Sequence, residues 1–136
     1  MGLSNITTVN GDLNFSGANE LTSLAGLENL TSVTELLRIE NCDILQDISA
    51  LSNLTNVGGI HIGVNSELTD LSVLQNISGS LEVLSLRGNL SDFSAFQNIT
   101  SINSLFLAFL VTLQLWKVLT TLLQLTNAQC CNAPRL

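Results

Sequence analysis

The feature that most constrains this chain is an internal repeat. A segment of the type Asn-Leu-Thr-Ser-Val occurs five times, and its asparagines are Asn5, Asn29, Asn53, Asn76 and Asn98. Their successive spacings are 24, 24, 23 and 22 residues. A second block with apolar residues at every third position begins, without gaps, at Leu21, Leu45, Leu68 and Leu90. A period of about 20 to 50 residues indicates an array of units, each of which contacts only its neighbours.

A short stretch of alternating apolar residues lies between the two blocks of each repeat. It reads Leu-Asn-Phe at 13–15, Leu-Arg-Ile at 37–39, Ile-His-Ile at 60–62, Leu-Ser-Leu at 84–86 and Leu-Phe-Leu at 105–107. Period-2 alternation predicts a short strand whose apolar side chains point inward. A turn rich in Gly, Asn and Ser follows, and the apolar block then leads to the next strand. The prediction is a mainly β solenoid with one short parallel strand per coil of 22–24 residues.

Stacking of the coils predicts which side chains form the core. Equivalent inward residues of neighbouring coils should stack on one another in a ladder, because no coil can bury its own apolar edge. The residues expected to do so are Leu37/Ile39, Ile60/Ile62 and Leu84/Leu86. The return segments are expected to contain only short helical turns, for example at 48–51. The repeating asparagine fits a buried turn in which its amide satisfies backbone groups. The array is assigned to residues 1–108 as about four to five coils, a fragment of a longer array.

The amino-acid sequence of the repeats resembles that of the leucine-rich-repeat superfamily. Residues 21–33 (Leu-Thr-Ser-Leu-Ala-Gly-Leu-Glu-Asn-Leu-Thr-Ser-Val) are most similar to repeats of the receptor L-domain type, and residues 88–102 resemble the repeats of internalin-type surface proteins. The resemblance covers roughly residues 5–107. It implies a right-handed solenoid, and it implies a non-catalytic ectodomain that binds a protein or a glycan at a cell surface.

Charge and cysteine content exclude some classes of function. The 136 residues include 11 acidic and 4 basic ones, for a net charge of −7, so the basic stripe that a nucleic acid requires is missing. The three cysteines are Cys42, Cys130 and Cys131, which suit neither a disulfide framework nor a metal-binding spacing. The first residues lack the basic start and apolar run of a secretory signal, so none is predicted.

The outward positions of the strands are the candidate binding face. Arg38, His61, Ser85 and Phe106 should form one row across successive coils. The full set of candidate ligand-binding residues is Asn14, Arg38, Glu40, His61, Ser85, Arg87 and Phe106. An ordinary solvated sheet without a ligand produces the same pattern, because polar residues between strand hydrophobes also serve solubility.

Seven Asn-x-Ser/Thr motifs are candidate N-glycosylation sites. They stand at Asn5, Asn14, Asn29, Asn53, Asn76, Asn89 and Asn98. Five of the seven are the repeat consensus itself, so coil geometry is the competing explanation for their presence.

No catalytic, cofactor or metal site is predicted. His61 is the only histidine and lacks the second imidazole or cysteine that a zinc or nucleophilic site needs. Asp47, Asp70 and Asp92 recur at one repeat position, with Ser23 in the first repeat, and a column of carboxylates suggests calcium. Calcium-binding repeats use several ligands per turn, however, so solvated turns are the favoured interpretation.

Residues 109–136 form an apolar tail that follows no coil pattern. It is expected to be helical, and three explanations stand open. A reading frame shifted near residues 108–110 permits a continuation of the repeat that aligns without a gap on residues 88–102. A membrane span over residues 105–125 has adequate length but carries Lys117, which costs about 3 kcal/mol at a bilayer centre. The third explanation is a native capping helix.

The sequence therefore predicts a non-catalytic repeat module of a secreted or surface protein. Its partner would be a protein or carbohydrate bound on the parallel-sheet face, with no nucleic acid and no cofactor. The alternatives are a structural spacer or stalk, and a membrane-anchored module that uses residues 105–125.

Overall fold

The computed structural model describes residues 3–88, 90 and 93–109. The described chain contains six β-strands and three short 3-10 helices. The strands are β1 (Thr8–Val9), β2 (Leu13–Ser16), β3 (Ser32–Glu40), β4 (Asn56–Gly63), β5 (Gly79–Gly88) and β6 (Ile99–Phe109). The 3-10 helices are Ser49–Asn53, Ser72–Asn76 and Ser94–Phe96.

The strands form one parallel sheet. Both β1 and β2 pair with β3, and β3, β4, β5 and β6 then follow one another in chain order. We number the coils by their strands: coil one holds β1 and β2, and coils two to five hold β3 to β6. The prediction of a mainly β chain with one strand position per coil is thus confirmed. The right-handed sense of the solenoid stays a prediction.

The strands are longer than the short ones that the alternating pattern predicts. Strands β3 to β6 contain 9, 8, 10 and 11 residues. The end of the Asn-Leu-Thr-Ser-Val segment joins the alternating stretch, and in β3 the two parts meet at an irregularity between Val33 and Leu36. Opposite it, a Cβ on Gly58 would lie 2.6 Å from the carbonyl oxygen of Thr34. Glycine is therefore required where the two backbones approach.

The inward side chains form the predicted ladder. Leu37, Ile60 and Leu84 are in register across β3, β4 and β5, and none of them is exposed to solvent. A second ladder runs beside it through Ile39, Ile62 and Leu86, which are also buried. Their counterparts in coil one are only half-buried, because in the described chain no coil packs on their other side. The inward assignment from the sequence is confirmed.

The return segments keep their apolar residues inward through a three-residue repeat. The N–H of Leu51 donates to the carbonyl of Ile48 at 2.9 Å, and the N–H of Leu54 donates to the carbonyl of Leu51 at 3.0 Å. A 3-10 helix has three residues per turn, so side chains at every third position lie on one side. The helical turn expected at 48–51 is confirmed within two residues.

One turn position in each of coils one to four has a left-handed backbone. Gly17, Asn41, Val64 and Gly88 have φ of +69°, +53°, +37° and +115°. Glycine and asparagine tolerate this region, whereas a β-branched residue is strained there. Val64 is also 52% exposed, so its side chain gains little from burial.

Replacing Val64 by glycine should therefore stabilise the protein. We expect the free energy of unfolding to rise by about 1 kcal/mol, because relief of the backbone strain outweighs the added entropy of glycine in the unfolded chain. Urea unfolding followed by circular dichroism would measure it. The reverse substitution, Gly17→Val, should lower the stability, and a loss of stability in Val64→Gly would contradict the argument.

The predictions for the tail fall on residues 110–136, which lie outside the described residues. The helix, the shifted frame and the membrane span therefore stay predictions, as does the division at residue 108. In the part of the chain that the structure covers, no helix is long and apolar enough to cross a membrane.

Candidate functional site: the outward face of the sheet

The predicted row of outward residues exists in the sheet. Asn14 pairs with Arg38, Arg38 with His61, His61 with Ser85, and Ser85 with Phe106. Neighbouring strands lie about 4.8 Å apart, so the row extends over roughly 19 Å. We call it the central row. It brings residues from five coils together on one surface, which is a length suited to an extended ligand.

Arg38 and His61, the second and third residues of the central row, form a cluster with Glu40 that we call the ion cluster. The Arg38 Nη1 atom lies 3.3 Å from Glu40 Oε2, and the His61 Nε2 atom lies 3.3 Å from Glu40 Oε1. The His61 side chain, assisted by the charge of Arg38, holds the pKa of Glu40 below its usual value. Buried His61 Nε2 has no aligned hydrogen bond, so its approach to Glu40 is a close polar contact without hydrogen-bond geometry.

A glycine makes room for this cluster. Gly63 is in register with Glu40, and a Cβ on Gly63 would lie 3.3 Å from His61 Nε2 and 3.4 Å from Glu40 Oε1. His61 was predicted to be exposed, but only 14% of its side chain is accessible. Its ring lies down over Gly63 instead of projecting into solvent.

Ser85 is the second departure from the predicted exposed face. It pairs with His61 as expected from the repeat alignment, but it is buried, with only 5% of its surface exposed. Its strand neighbours in the central row are His61 and Phe106, both much larger than serine. A hydroxymethyl group between two rings on strands about 5 Å apart is shielded from water. Ser85 is therefore a buried position between two larger residues of the central row.

A second row of smaller side chains runs beside the central row. Leu36 pairs with Gly59, Gly59 with Val83, and Val83 with Ser104. A Cβ on Gly59 would lie 2.7 Å from Val83 Cγ1 and 3.2 Å from Leu36 Cδ1. Leu36 and Val83 thus lean together over Gly59, and this part of the face is apolar.

Exposed functional groups lie at both ends of the face. Phe106 is 46% exposed, and no other large apolar side chain described in the strands of the sheet is exposed. Arg87, in β5, is exposed and in register with Ala108. Asn14, in β2, is exposed as well. The predicted site residues are therefore on one surface, but they divide into an exposed Asn14, an ion cluster, a buried serine and an exposed Arg87–Phe106 pair.

The repeating asparagines link each coil to the one before it. The side-chain Nδ2 atoms of Asn29, Asn53, Asn76 and Asn98 donate to backbone carbonyls of the preceding coil at 2.6 to 2.8 Å. The acceptors are Ser4, Glu28, Ser52 and Gln75. The expected bonding role is confirmed, but these asparagines are exposed and not buried in the turns.

The other polar residue of the glycosylation motif also bonds between coils. The hydroxyl of Thr31 donates to the carbonyl of Thr7 at 3.0 Å, and the hydroxyl of Thr55 donates to the carbonyl of Thr31 at 3.3 Å. Coil-to-coil bonding thus accounts for the asparagine and the threonine of the motifs at Asn29 and Asn53 without a glycan. Asn89 lies outside the described residues, and glycosylation at all seven positions stays a prediction.

A buried amide that sequence reasoning missed joins coils two and three. Asn65 Oδ1 accepts the N–H of Cys42 at 2.9 Å, and Asn65 Nδ2 donates to the carbonyl of Ile39 at 2.9 Å. Asn65 is 6% exposed. Cys42 is buried with a free thiol, whose Sγ atom lies 3.0 Å from the carbonyl oxygen of Phe15. The sequence feature that could have indicated this contact is that Cys42 and Asn65 occupy the same turn position in consecutive repeats.

The column of aspartates caps the return segments. Asp47 Oδ1 accepts the N–H of Ser49 at 2.8 Å, and Asp70 Oδ1 accepts the N–H of Ser72 at 2.8 Å. In the ranges 3–88, 90 and 93–109, no three potential ligands converge on a common metal position. Asp92 lies outside these ranges. For Asp47 and Asp70, the solvated turn is the geometry found.

The same bonds should make stability depend on pH. Hydrogen bonds from Ser49 and Ser72 lower the pKa values of Asp47 and Asp70. Their contribution is present above the unfolded carboxyl pKa, near 4, and is lost as pH falls through the lowered native values. We expect the double variant Asp47→Asn, Asp70→Asn to show a shallower loss of urea stability below pH 4 than the parent. Equal slopes would refute this role.

Comparison with known proteins gives one finding of similarity. Residues 5–69 match the family model of the receptor L domain. No curated protein and no solved structure matches the chain. The resemblance read from the repeats is confirmed over coils one to three, where the match lies.

The receptor L domain is a non-catalytic ligand-binding module of receptors. It occurs in extracellular receptor ectodomains, where it binds protein ligands. The match includes Asn14, Arg38, Glu40 and His61, whereas Ser85, Arg87 and Phe106 follow it in further coils of the same sheet.

Proposed function

We propose that this chain is a non-catalytic ligand-binding module of an extracellular or surface protein, and that it binds a protein ligand on the outward face of its sheet. The observation that carries the proposal is the central row, which places Phe106, exposed to 46%, in register with side chains from four other coils. Large aromatic side chains on an accessible face are typical anchors of protein interfaces.

The geometry favours a broad surface over a chemical reaction. Glu40 is engaged with Arg38 and His61, and the Nε2 atom of His61, the only histidine of the chain, lies against Glu40. The receptor L domain match supports a protein as the ligand class. A glycan ligand and a pure spacer are the competing outcomes of the test.

The test uses the full chain, labelled with biotin, on an array of secreted proteins and receptor ectodomains and on a glycan array. Each hit is then measured with two double variants. Arg87→Ala with Phe106→Ala removes the exposed groups of the face, and Gln75→Ala with Gln97→Ala removes two exposed side chains of the return segments. All four side chains are exposed, so each variant should fold like the parent.

We expect protein hits whose affinity falls at least about tenfold in the face variant and is unchanged in the return-segment variant. Loss of affinity in the return-segment variant would move the site to another surface. Hits confined to the glycan array would refute a protein ligand, and the absence of hits on both arrays would favour the spacer.

A further inference from the structure

The basic side chains of the described chain are concentrated on one surface. Arg38, His61 and Arg87 are its only basic side chains, and all three belong to the outward rows of the sheet. The chain as a whole has 11 acidic and 4 basic residues. A face that gathers the basic side chains of an acidic chain is electrostatically distinct from the rest of the surface.

The acidic residues near this face are already engaged or lie at its margin. Glu40 is held between Arg38 and His61 at 3.3 Å from each. Asp12, which precedes β2, accepts the N–H of Leu36 at 2.9 Å. Glu82 lies five residues before Arg87 in β5 and accepts a hydrogen bond from Asn103 at 3.1 Å. These carboxylates therefore do not neutralise the far end of the central row.

Arg87 is the cation that remains uncompensated. It is exposed, and among the described residues no carboxylate lies within 4.0 Å of its guanidinium. Arginine carries five N–H donors in a planar fork, which matches a carboxylate with two parallel hydrogen bonds. An exposed, unpaired arginine on a sheet face is thus a ready partner for an acidic side chain.

Phe106 stands next to this arginine. It pairs with Ser85 across the strands, and Arg87 lies two residues beyond Ser85 on the same face of β5. With strands about 4.8 Å apart and two residues spanning about 6.6 Å, the two Cα positions are roughly 8 Å apart. The third residue of this corner of the sheet, Ser85, is small and buried, so it does not project between them. One extended ligand segment can therefore contact both groups with neighbouring side chains.

We propose that the Arg87–Phe106 pair binds an acidic, extended segment of the protein partner, with a carboxylate on Arg87 and an adjacent apolar side chain on Phe106. This inference rests on the proposed function, since it names the chemistry that the same face selects. The net charge of −7 does not prevent it, because charges farther away than about 8 Å are largely screened at physiological ionic strength.

The experiment is a selection of peptides from a phage-displayed library of random 12-residue sequences on the immobilised full chain. Selected peptides are synthesised, and their affinities are measured for the parent and three variants. Arg87→Gln and Gln97→Glu each lower the net charge by one, so the second is the matched control for the first. Phe106→Ala removes the aromatic anchor.

We expect the selected peptides to contain Asp or Glu beside a large apolar residue. Their affinity should fall about tenfold or more in Arg87→Gln and in Phe106→Ala, and should stay within about twofold in Gln97→Glu. Neutral or basic peptides that still depend on Phe106 would overturn the acidic specificity and leave the sheet face as the site. Peptides that ignore both Arg87 and Phe106, or a selection without enrichment, would overturn the inference together with the proposed face.

Discussion

Leu84→Asp is expected to abolish the folded state. Leu84 has no exposed surface and lies in the ladder between Ile60 of coil three and Leu105 of coil five. A buried carboxylate without a partner costs several kcal/mol, and the whole free energy of unfolding of a domain is only about 5–15 kcal/mol. Circular dichroism should show loss of the sheet signal at 25 °C, and urea should produce no cooperative transition.

The matched control is Ser80→Asp. Ser80 is exposed in the same strand, so it receives the same charge without burial and should unfold like the parent. Leu84→Ala supplies a measurable intermediate, with an expected loss of about 2–5 kcal/mol. If Leu84→Asp melted together with the parent, the inward assignment of this ladder would be wrong.

Asn65→Ala should produce the second-largest loss of stability. The substitution leaves the N–H of Cys42 and the carbonyl of Ile39 buried without their partner. Each unsatisfied buried group costs about 1–3 kcal/mol, so we expect the free energy of unfolding to fall by about 2–5 kcal/mol. Urea unfolding measures this loss. Hydrogen exchange of the Cys42 amide should also accelerate more than that of the core strands.

Asn56→Ala is the control for this substitution. Asn56 begins β4 and is exposed, so the change should stay within about 0.5 kcal/mol of the parent. A loss below 1 kcal/mol in Asn65→Ala, or unchanged exchange at Cys42, would show that the turn does not depend on this amide.

Much of the architecture could be predicted because the same alternating pattern of apolar residues occurs in every repeat. Leu37, Ile60 and Leu84 occupy equivalent positions, so one alternating pattern defines the strand, the inward face and the pairing register together. The same alignment predicted that Arg38, His61 and Ser85 share a row, and the register confirms it. A wrong strand assignment in one coil does not affect the assignment of the others, since each coil is aligned independently on its neighbours.

The accessibility of the face could not be predicted in the same way. The alternation of apolar and polar residues along a strand predicts which side of the sheet a residue occupies. The exposure of Ser85, however, depends on the sizes of His61 and Phe106 in neighbouring coils. Likewise, the ring of His61 lies down because Gly63 leaves space beneath it. These effects arise between residues more than 20 positions apart, which a single coil's pattern does not encode.

The partner chemistry was also outside the reach of the pattern. Arg87 was a candidate because it alternates with Leu86, but only the structure shows that no carboxylate among the described residues forms an ion pair with it. A net charge of −7 by itself suggested no preference for an acidic ligand.

The asparagine bonds have a direction, and it matches the order in which a ribosome makes the chain. In each bond the donor belongs to the later coil and the acceptor to the earlier one, as with Asn53 and Glu28 or Asn98 and Gln75. A coil that emerges therefore meets acceptors that have already been synthesised, only 23 to 25 residues earlier. Such a chain can fold coil by coil during translation. At each stage the apolar edge of the most recently made coil is not yet covered by the following coil.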